Sequence, residues 1–205
     1  MMHLDEAILN RASVKVFSDE AVPRDIVQRC LDMAIWAPNH HLTEPWHFIV
    51  IMGEARERLA QAVFQQTQTN TRGLEWAKAE AKALKERKKI FSAPVIIAVY
   101  ADSDGDAKVS RENYAATAAA MQNLLLTAHS LGYGAIWRTS DIYDDHAVRE
   151  LLDVPQTAVP TGAVFLGRSG QRAVRRRRTP ASEKTYWLGE KNAAFMASDQ
   201  IFGKS

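Results

Sequence analysis

The stretch "APVIIAVYAD", Ala93 to Asp102, is apolar at almost every position. A strand with one solvated face alternates apolar and polar side chains, so this run reads as a strand buried on both faces. The segment that follows, "RENYAATAAAMQNLLLTAHSLGYG", is the most hydrophobic helical pattern in the chain. Its alanines let another helix approach closely, and Gly132 suits its C-terminal stop. A doubly buried strand next to an apolar helix demands a layered domain rather than an open sheet.

The remaining elements fit that demand. Residues 3–11 read as a short helix with Leu4, Ala7 and Ile8 on one face, and "VKVF" as extended. In "SDEAVPRDIVQRCLDMAIWAP", Pro23 suits a first helical turn, Asp25 favours its positive end, and Pro38 forces a stop near Ala37. "WHFIVIM" reads as a strand closed by Gly53; Glu54 to about Phe91 reads as charged helix interrupted by "TQTNTRG". "AIWRT" is a short strand, "SDIYDDHAVRELLDV" a capped helix and "AVPTGAVFLGRSG" a last strand. The order α-β-α-β-α-β specifies an α+β or α/β layered domain. The tail after residue 175 carries Tyr186, Trp187, Phe195 and Phe202, aromatics that need burial, for which a second subunit is the natural candidate.

Composition excludes several functions. The 205 residues carry 26 basic and 24 acidic side chains, a net charge of +2, so no global field demands nucleic acid or an anionic membrane. Arg175 to Arg178 form a basic run without a surrounding basic field and read as a linker. The single cysteine, Cys30, follows helical spacing with Ile26, Val27, Leu31 and Ala34, and reads as a core residue in a reducing compartment. The acidic N-terminus is no signal peptide and no apolar run is long enough to span a membrane, so the expectation is a soluble cytoplasmic protein.

No Gly-x-Ser-x-Gly elbow, phosphate-binding glycine loop or metal-ligand spacing is present; adjacent His40 and His41 lack a completing set. What stands out is polar and aromatic residues at element ends. Arg11, Ala12, Ser13 and Lys15 lie in "NRASVKVF", where alternate residues face one way; Asn39-His40-His41, Pro45-Trp46 and Trp137-Arg138-Thr139 lie at other element ends. Guanidinium, hydroxyl and aromatic groups together suit a ligand with a phosphate and a flat ring. Taken singly, Trp46 and Trp137 also read as core or interface aromatics, and Arg138 as a structural ion pair.

Four segments carry a resemblance: "ILNRASVKVF", "APNHHLTEPWHFIVI", "AAAMQNLLLTAHSLGYGAIWRT" and "AVFLGRSGQRAVRRRRTPASEKTYW". In this order they resemble the nitroreductase family of FMN-dependent, mostly homodimeric NAD(P)H oxidoreductases, in its small subgroup. The resemblance implies an α+β fold, a three-layer α/β/α sandwich around a mostly antiparallel sheet, formed by one domain over 1–205 whose extension from about 175 packs on the partner. It implies FMN as cofactor, NAD(P)H as electron donor, and a site at the subunit interface. Arg11 would pair with the phosphate and Ser13 with the ribityl or phosphate region. Lys15 would sit at the N1/O2 edge, where a fixed cation stabilises the charge of the reduced flavin. Ala12 lies within that motif, Trp137, Arg138 and Thr139 correspond to the second flavin contact, and His40 to a residue reaching FMN. No protein side chain is expected to be catalytic, since the flavin N5 carries the hydride, and no metal is implied.

The acceptor would be nitroaromatic, quinone or similarly electron-poor. The same scaffold also admits a different flavin reaction, such as dehalogenation or dehydrogenation, or a redox-sensing role without turnover. Arg168 or Arg172 would be the late basic residue at the phosphate. Trp36 holds a position often basic in the subgroup, and the charged region of about 67–90 falls where relatives shape their substrate pocket.

Overall fold

The structure, a computed structural model, describes residues 2–71, 73–170, 177–185 and 187. The helices are α1 (Leu4–Asn10), α2 (Arg24–Ala34), α3 (Ala55–Asn70), α4 (Trp76–Ile90), α5 (Ala107–Ser130) and α6 (His146–Leu151). The strands are β1 (Trp46–Met52), β2 (Val95–Ala101), β3 (Gly134–Arg138) and β4 (Val159–Gly167). Short 3-10 turns lie at His40–Leu42, Asp141–Tyr143 and Ala181–Lys184.

Every residue of β2 is buried, as its apolar run requires. The strands form one sheet in the order β1-β2-β4-β3, each neighbouring pair antiparallel. Val95, Ile97 and Val99 face a core shared with α2 and α5, while Ile96, Ala98 and Tyr100 face one shared with α3 and α6. The alternation makes three layers, helices on both faces of the sheet. Burial of each of Val95, Ile96, Ile97 and Val99 contributes about 1.5–3 kcal/mol.

Helix α5 has 24 residues, about 36 Å at ~1.5 Å per residue. The Asp106 carboxylate accepts the Lys108 N–H at 2.7 Å and caps its start. Beyond its end Gly132 takes φ +79°, the left-handed turn that glycine adopts without a Cβ clash. Ala116, Ala120 and Ala128 bring α5 close to Cys30 and Ala34 of α2. Cys30 is fully buried, and burial pushes its thiol up to about 12, so it is packing rather than nucleophile.

The N-terminal segment meets the free edge of β3 and then passes to the residues beyond the end of β4. Ser13 pairs with Ala135 in a parallel bridge, and the Val14 N–H donates to the Ala135 carbonyl at 3.1 Å. Farther on, Phe17 bridges to Ser169, and the Ser18 N–H donates to the Arg168 carbonyl at 3.0 Å.

One expected element divides. The segment "SDIYDDHAVRELLDV" forms a 3-10 turn and then the six-residue α6, rather than one capped helix. Asp145 takes the N-cap position without a side-chain cap bond, while the Asp144 carboxylate accepts from buried Arg149. Arg149 also donates to the Pro155 and Ala158 carbonyls, so a buried guanidinium decides where this helix starts.

The chain divides into two compact units, Met1–Val174 and Arg175–Ser205. Of the second unit, the described residues form the turn at Ala181–Lys184, with Trp187 exposed. Tyr186, Phe195, Phe202, Arg172, Arg175 and Arg176 lie outside the described residues. Among the described residues no helix is long and apolar enough to cross a membrane.

A Cβ at Gly134 would lie 2.7 Å from Val14 Cγ2. Gly134→Ala therefore has to displace the edge segment, with an expected loss of about 1–3 kcal/mol. Urea denaturation measures it, as a lower midpoint at unchanged slope.

Candidate functional site

The bridge at Ser13 places Arg11, Ala12, Ser13 and Lys15 at the junction of α1, the free edge of β3 and the end of α5. Among the described residues, the side chains of Arg11, Ser13 and Lys15 have no hydrogen-bond or ion-pair partner. Arg11 is half-buried, and its charge reaches His129 in the last turn of α5. Burial first, and Arg11 second, hold the His129 pKa below its ordinary 6.5, although the negative end of the helix dipole favours a protonated ring. The Nε2 atom of His129 is buried and has no hydrogen-bond partner among the described residues. Two cations, a hydroxyl and an unpartnered imidazole nitrogen, with no described carboxylate at ion-pair distance, suit an anion such as a phosphate ester.

The edge of β3 supplies a second feature. Ala135 turns its carbonyl outward to Val14, and the pleat turns the main-chain N–H and C=O of Trp137 toward the same edge. Side chains alternate, so Trp137 and Arg138 leave on opposite faces. Trp137 packs toward the α2/α5 core and its Nε1–H donates to the Thr161 carbonyl at 3.0 Å. The ring fits because residue 162 is glycine: a Cβ there would stand 2.6 Å from Trp137 Nε1. Arg138 lies over the Phe165 ring at 4.4 Å and donates to Ser92 Oγ at 3.3 Å, and burial holds its pKa below the usual value. The Trp137 donor and the Arg138 guanidinium are thus engaged within the fold. What the segment offers a planar ligand is main chain, an indole face and the exposed Thr139.

His40 stands elsewhere. Its Nδ1 lies 2.8 Å from Glu112 Oε2, in the second turn of α5. His129 follows seventeen residues later on the same helix, roughly 26 Å along the axis at ~1.5 Å per residue. The structure therefore sets the segment of Arg11, Ser13 and Lys15 against the start of β3, with Trp137 and Thr139 farther along that strand and its sequel, and leaves His40 at the opposite end of α5. Arg168 stacks on Tyr133 at 4.2 Å and its Nε lies 3.4 Å from Glu20, so its charge already has a partner. Trp36 is 78% exposed. In the 67–90 region a cleft of about 560 Å³ opens between α3 and α4, lined by Gln65, Gln68, Thr71, Leu74 and Trp76 among others.

The family model described as "Nitroreductase family" matches residues 8–168. The chain belongs to the nitroreductase family. Its relatives include YdjA of Escherichia coli (strain K12), whose name assigns it to the NAD(P)H nitroreductases; the two are 33% identical over 164 residues, 79% of this chain and 86% of that protein. The fold matches the crystal structure of a nitroreductase-like family protein from Bacillus cereus with a TM-score of 0.81 and 28% identity, over 92% of this chain and 97% of that one. It also matches a Desulfovibrio desulfuricans structure described as a nitroreductase in complex with FMN, at TM-score 0.67 and 26% identity, over 89% and 95% of the two chains.

Two residues that meet the candidate groups escape a reading of the sequence. His129 in "TAHSLGYG" looks like an ordinary helix end, and Glu112 in "SRENYA" like a solvated first turn. Only the approach of Arg11 to one and His40 to the other gives them meaning. For His129 the outcome is testable. Arg11→Ala removes a like charge and leaves burial in place, so the His129 midpoint should rise part of the way toward 6.5. NMR titration of the ring C–H reads this, and an unchanged midpoint would separate the two charges. Because the folded pKa is depressed, His129 also makes stability fall as pH drops below 6.5.

Proposed function

We propose that this chain passes hydride from NAD(P)H through FMN to a nitroaromatic, quinone or similarly electron-poor acceptor, at a site shared by two protomers. Membership of the nitroreductase family makes the chain an NAD(P)H-dependent flavin oxidoreductase. FMN, when bound, supplies the hydride-accepting N5 and the two-electron chemistry. The observation that carries the reading is the set of groups Arg11, Ser13 and Lys15, without hydrogen-bond or ion-pair partners among the described residues, beside the start of β3.

In this reading Arg11 binds the phosphate, with neutral His129 leaving its charge uncompensated. Ser13 hydrogen-bonds the ribityl or phosphate region, and Ala12 keeps the main chain close. Lys15 places a fixed positive charge where reduction leaves negative charge on the ring, which favours the reduced state. The outward main chain of Trp137, together with Thr139, orients the polar rim of the ring, and Arg138 holds that turn rigid through Phe165 and Ser92.

His40 completes the site from the partner, because Glu112, which it meets, and His129, which the Arg11 charge reaches, lie about 26 Å apart along α5 of one protomer. The surface around His40 supports a partner there: Trp36 and Leu42 are 78% and 82% exposed, and Tyr114 of α5 is exposed as well. We assign 175–205 to the same assembly, as an extension of a single functional domain. Protein side chains bind, orient and exclude water, and none donates the hydride.

An absorption spectrum of the purified protein with FMN added back tests the reading, followed by NADPH oxidation with a nitroaromatic. The wild type should show bound-flavin bands and consume NADPH. Arg11→Ala should bind FMN roughly ten- to hundredfold more weakly, the cost of about 1.5–3 kcal/mol for one charge-assisted hydrogen-bond site. A protein that stays colourless in excess FMN would overturn it.

A further inference from the structure

The loop that carries His40 is held in an unusual conformation. His41, Leu42 and Glu44, none of them glycine, all take positive φ, at 53°, 56° and 46°. Each such residue costs about 1 kcal/mol or more, and persists only where its surroundings determine it. Within the loop, the Glu44 N–H donates to Asn39 Oδ1 at 2.9 Å and Thr43 Oγ1 donates to the His40 carbonyl at 3.1 Å. Among the described residues, the side-chain ties from the loop to the rest of the chain land on two consecutive residues of α5. His40 Nδ1 meets Glu112 Oε2 at 2.8 Å, and Thr43 Oγ1 donates to Asn113 Oδ1 at 3.3 Å. Asn113 is buried and its Nδ2 donates to the Asp102 carbonyl at 3.3 Å, so this anchor is itself anchored.

We propose that Glu112 is a positioning residue for His40, accepting the Nδ1 proton so that the ring is fixed in one tautomer with Nε2 turned to the cofactor on the partner protomer. The proposal rests on the reading that His40 reaches FMN. A carboxylate acts only as an acceptor, so it selects the Nδ1–H form and leaves Nε2 to the ligand. Among the described residues, Lys108 Nζ lies 3.8 Å from the other oxygen of Glu112, and the His41 ring is 4.1 Å from that of His40. The strained backbone sets the direction of the ring and Glu112 sets its chemistry.

The test combines ¹H–¹⁵N correlation of the imidazole nitrogens with FMN titration, in Glu112→Ala, Glu112→Gln, His40→Ala and the Glu112→Ala/His40→Ala double variant. Above the pH range in which an imidazole is charged, the wild type and Glu112→Gln should show the Nδ1–H tautomer for His40, since the amide oxygen still accepts. Glu112→Ala should lose that tautomer and bind FMN about tenfold more weakly, yet cost nothing further once His40 is alanine. A wild-type tautomer in Glu112→Ala, or the same loss in the His40→Ala background, overturns the proposal. Unchanged FMN affinity in His40→Ala overturns it through the reading beneath it, and the two failures are told apart by which variant shows them.

Discussion

The hydrogen bond from the Val14 N–H to the Ala135 carbonyl does more for the site than its 3.1 Å suggests. It ties an N-terminal segment, far away in sequence, to the edge of a sheet whose centre is set by β2. Glycine at 134 permits the contact, because any Cβ there would meet Val14. Once Ser13 is registered on Ala135, the alternation of an extended chain decides where Arg11, Ser13 and Lys15 stand. The same pleat aims the main chain of Trp137 at that edge. Backbone geometry therefore assembles the site, and the side chains supply its charge.

Electrostatics then gives the site a sign. Arg11 sits half-buried with no described anion to offset it, and burial, with the Arg11 charge second, holds the His129 pKa below its ordinary value. By contrast, Arg149 and Arg168, elsewhere in the chain, are matched to Asp144 and Glu20. A partly buried cation left unmatched is unfavourable in the empty protein and becomes favourable when an anionic ligand arrives. At the other end of α5 the arrangement is reversed, with the Glu112 carboxylate already paired to His40 in a strained loop. The length of α5 keeps the two ends apart within one chain.

Much of the fold was legible because it follows from local pattern. The run from Val95 to Ala101 read as a doubly buried strand and is one, "WHFIVIM" became β1 residue for residue, and Gly132 ended α5 where a left-handed turn was needed. The interruption expected at "TQTNTRG" came late: Thr67 to Asn70 continue α3, whose C-cap is Thr71, and α4 starts at Trp76. Pairing outside the helix and strand repeats was not legible. Asp144 looked like part of a helix cap, and its real partner is a buried arginine within α6 whose other bonds reach Pro155 and Ala158. The period of a strand shows that Trp137 and Arg138 part company, but only the structure shows that Phe165 and Ser92 hold the guanidinium. Glu112 meets His40 across 72 residues of chain, a distance at which no local rule speaks.

The central claim is that one site takes Arg11 from one protomer and His40 from the other. The measurement that tests it most directly is activity in mixed dimers, made by co-expressing differently tagged Arg11→Ala and His40→Ala chains and purifying through both tags. Each parent dimer carries a lesion in both sites. A mixed dimer with shared sites concentrates both lesions in one and leaves the other intact, so FMN binding and NADPH oxidation should return to about half the wild-type value per dimer. Mixed dimers no better than their parents would contradict the account, because every site would then be built from a single chain.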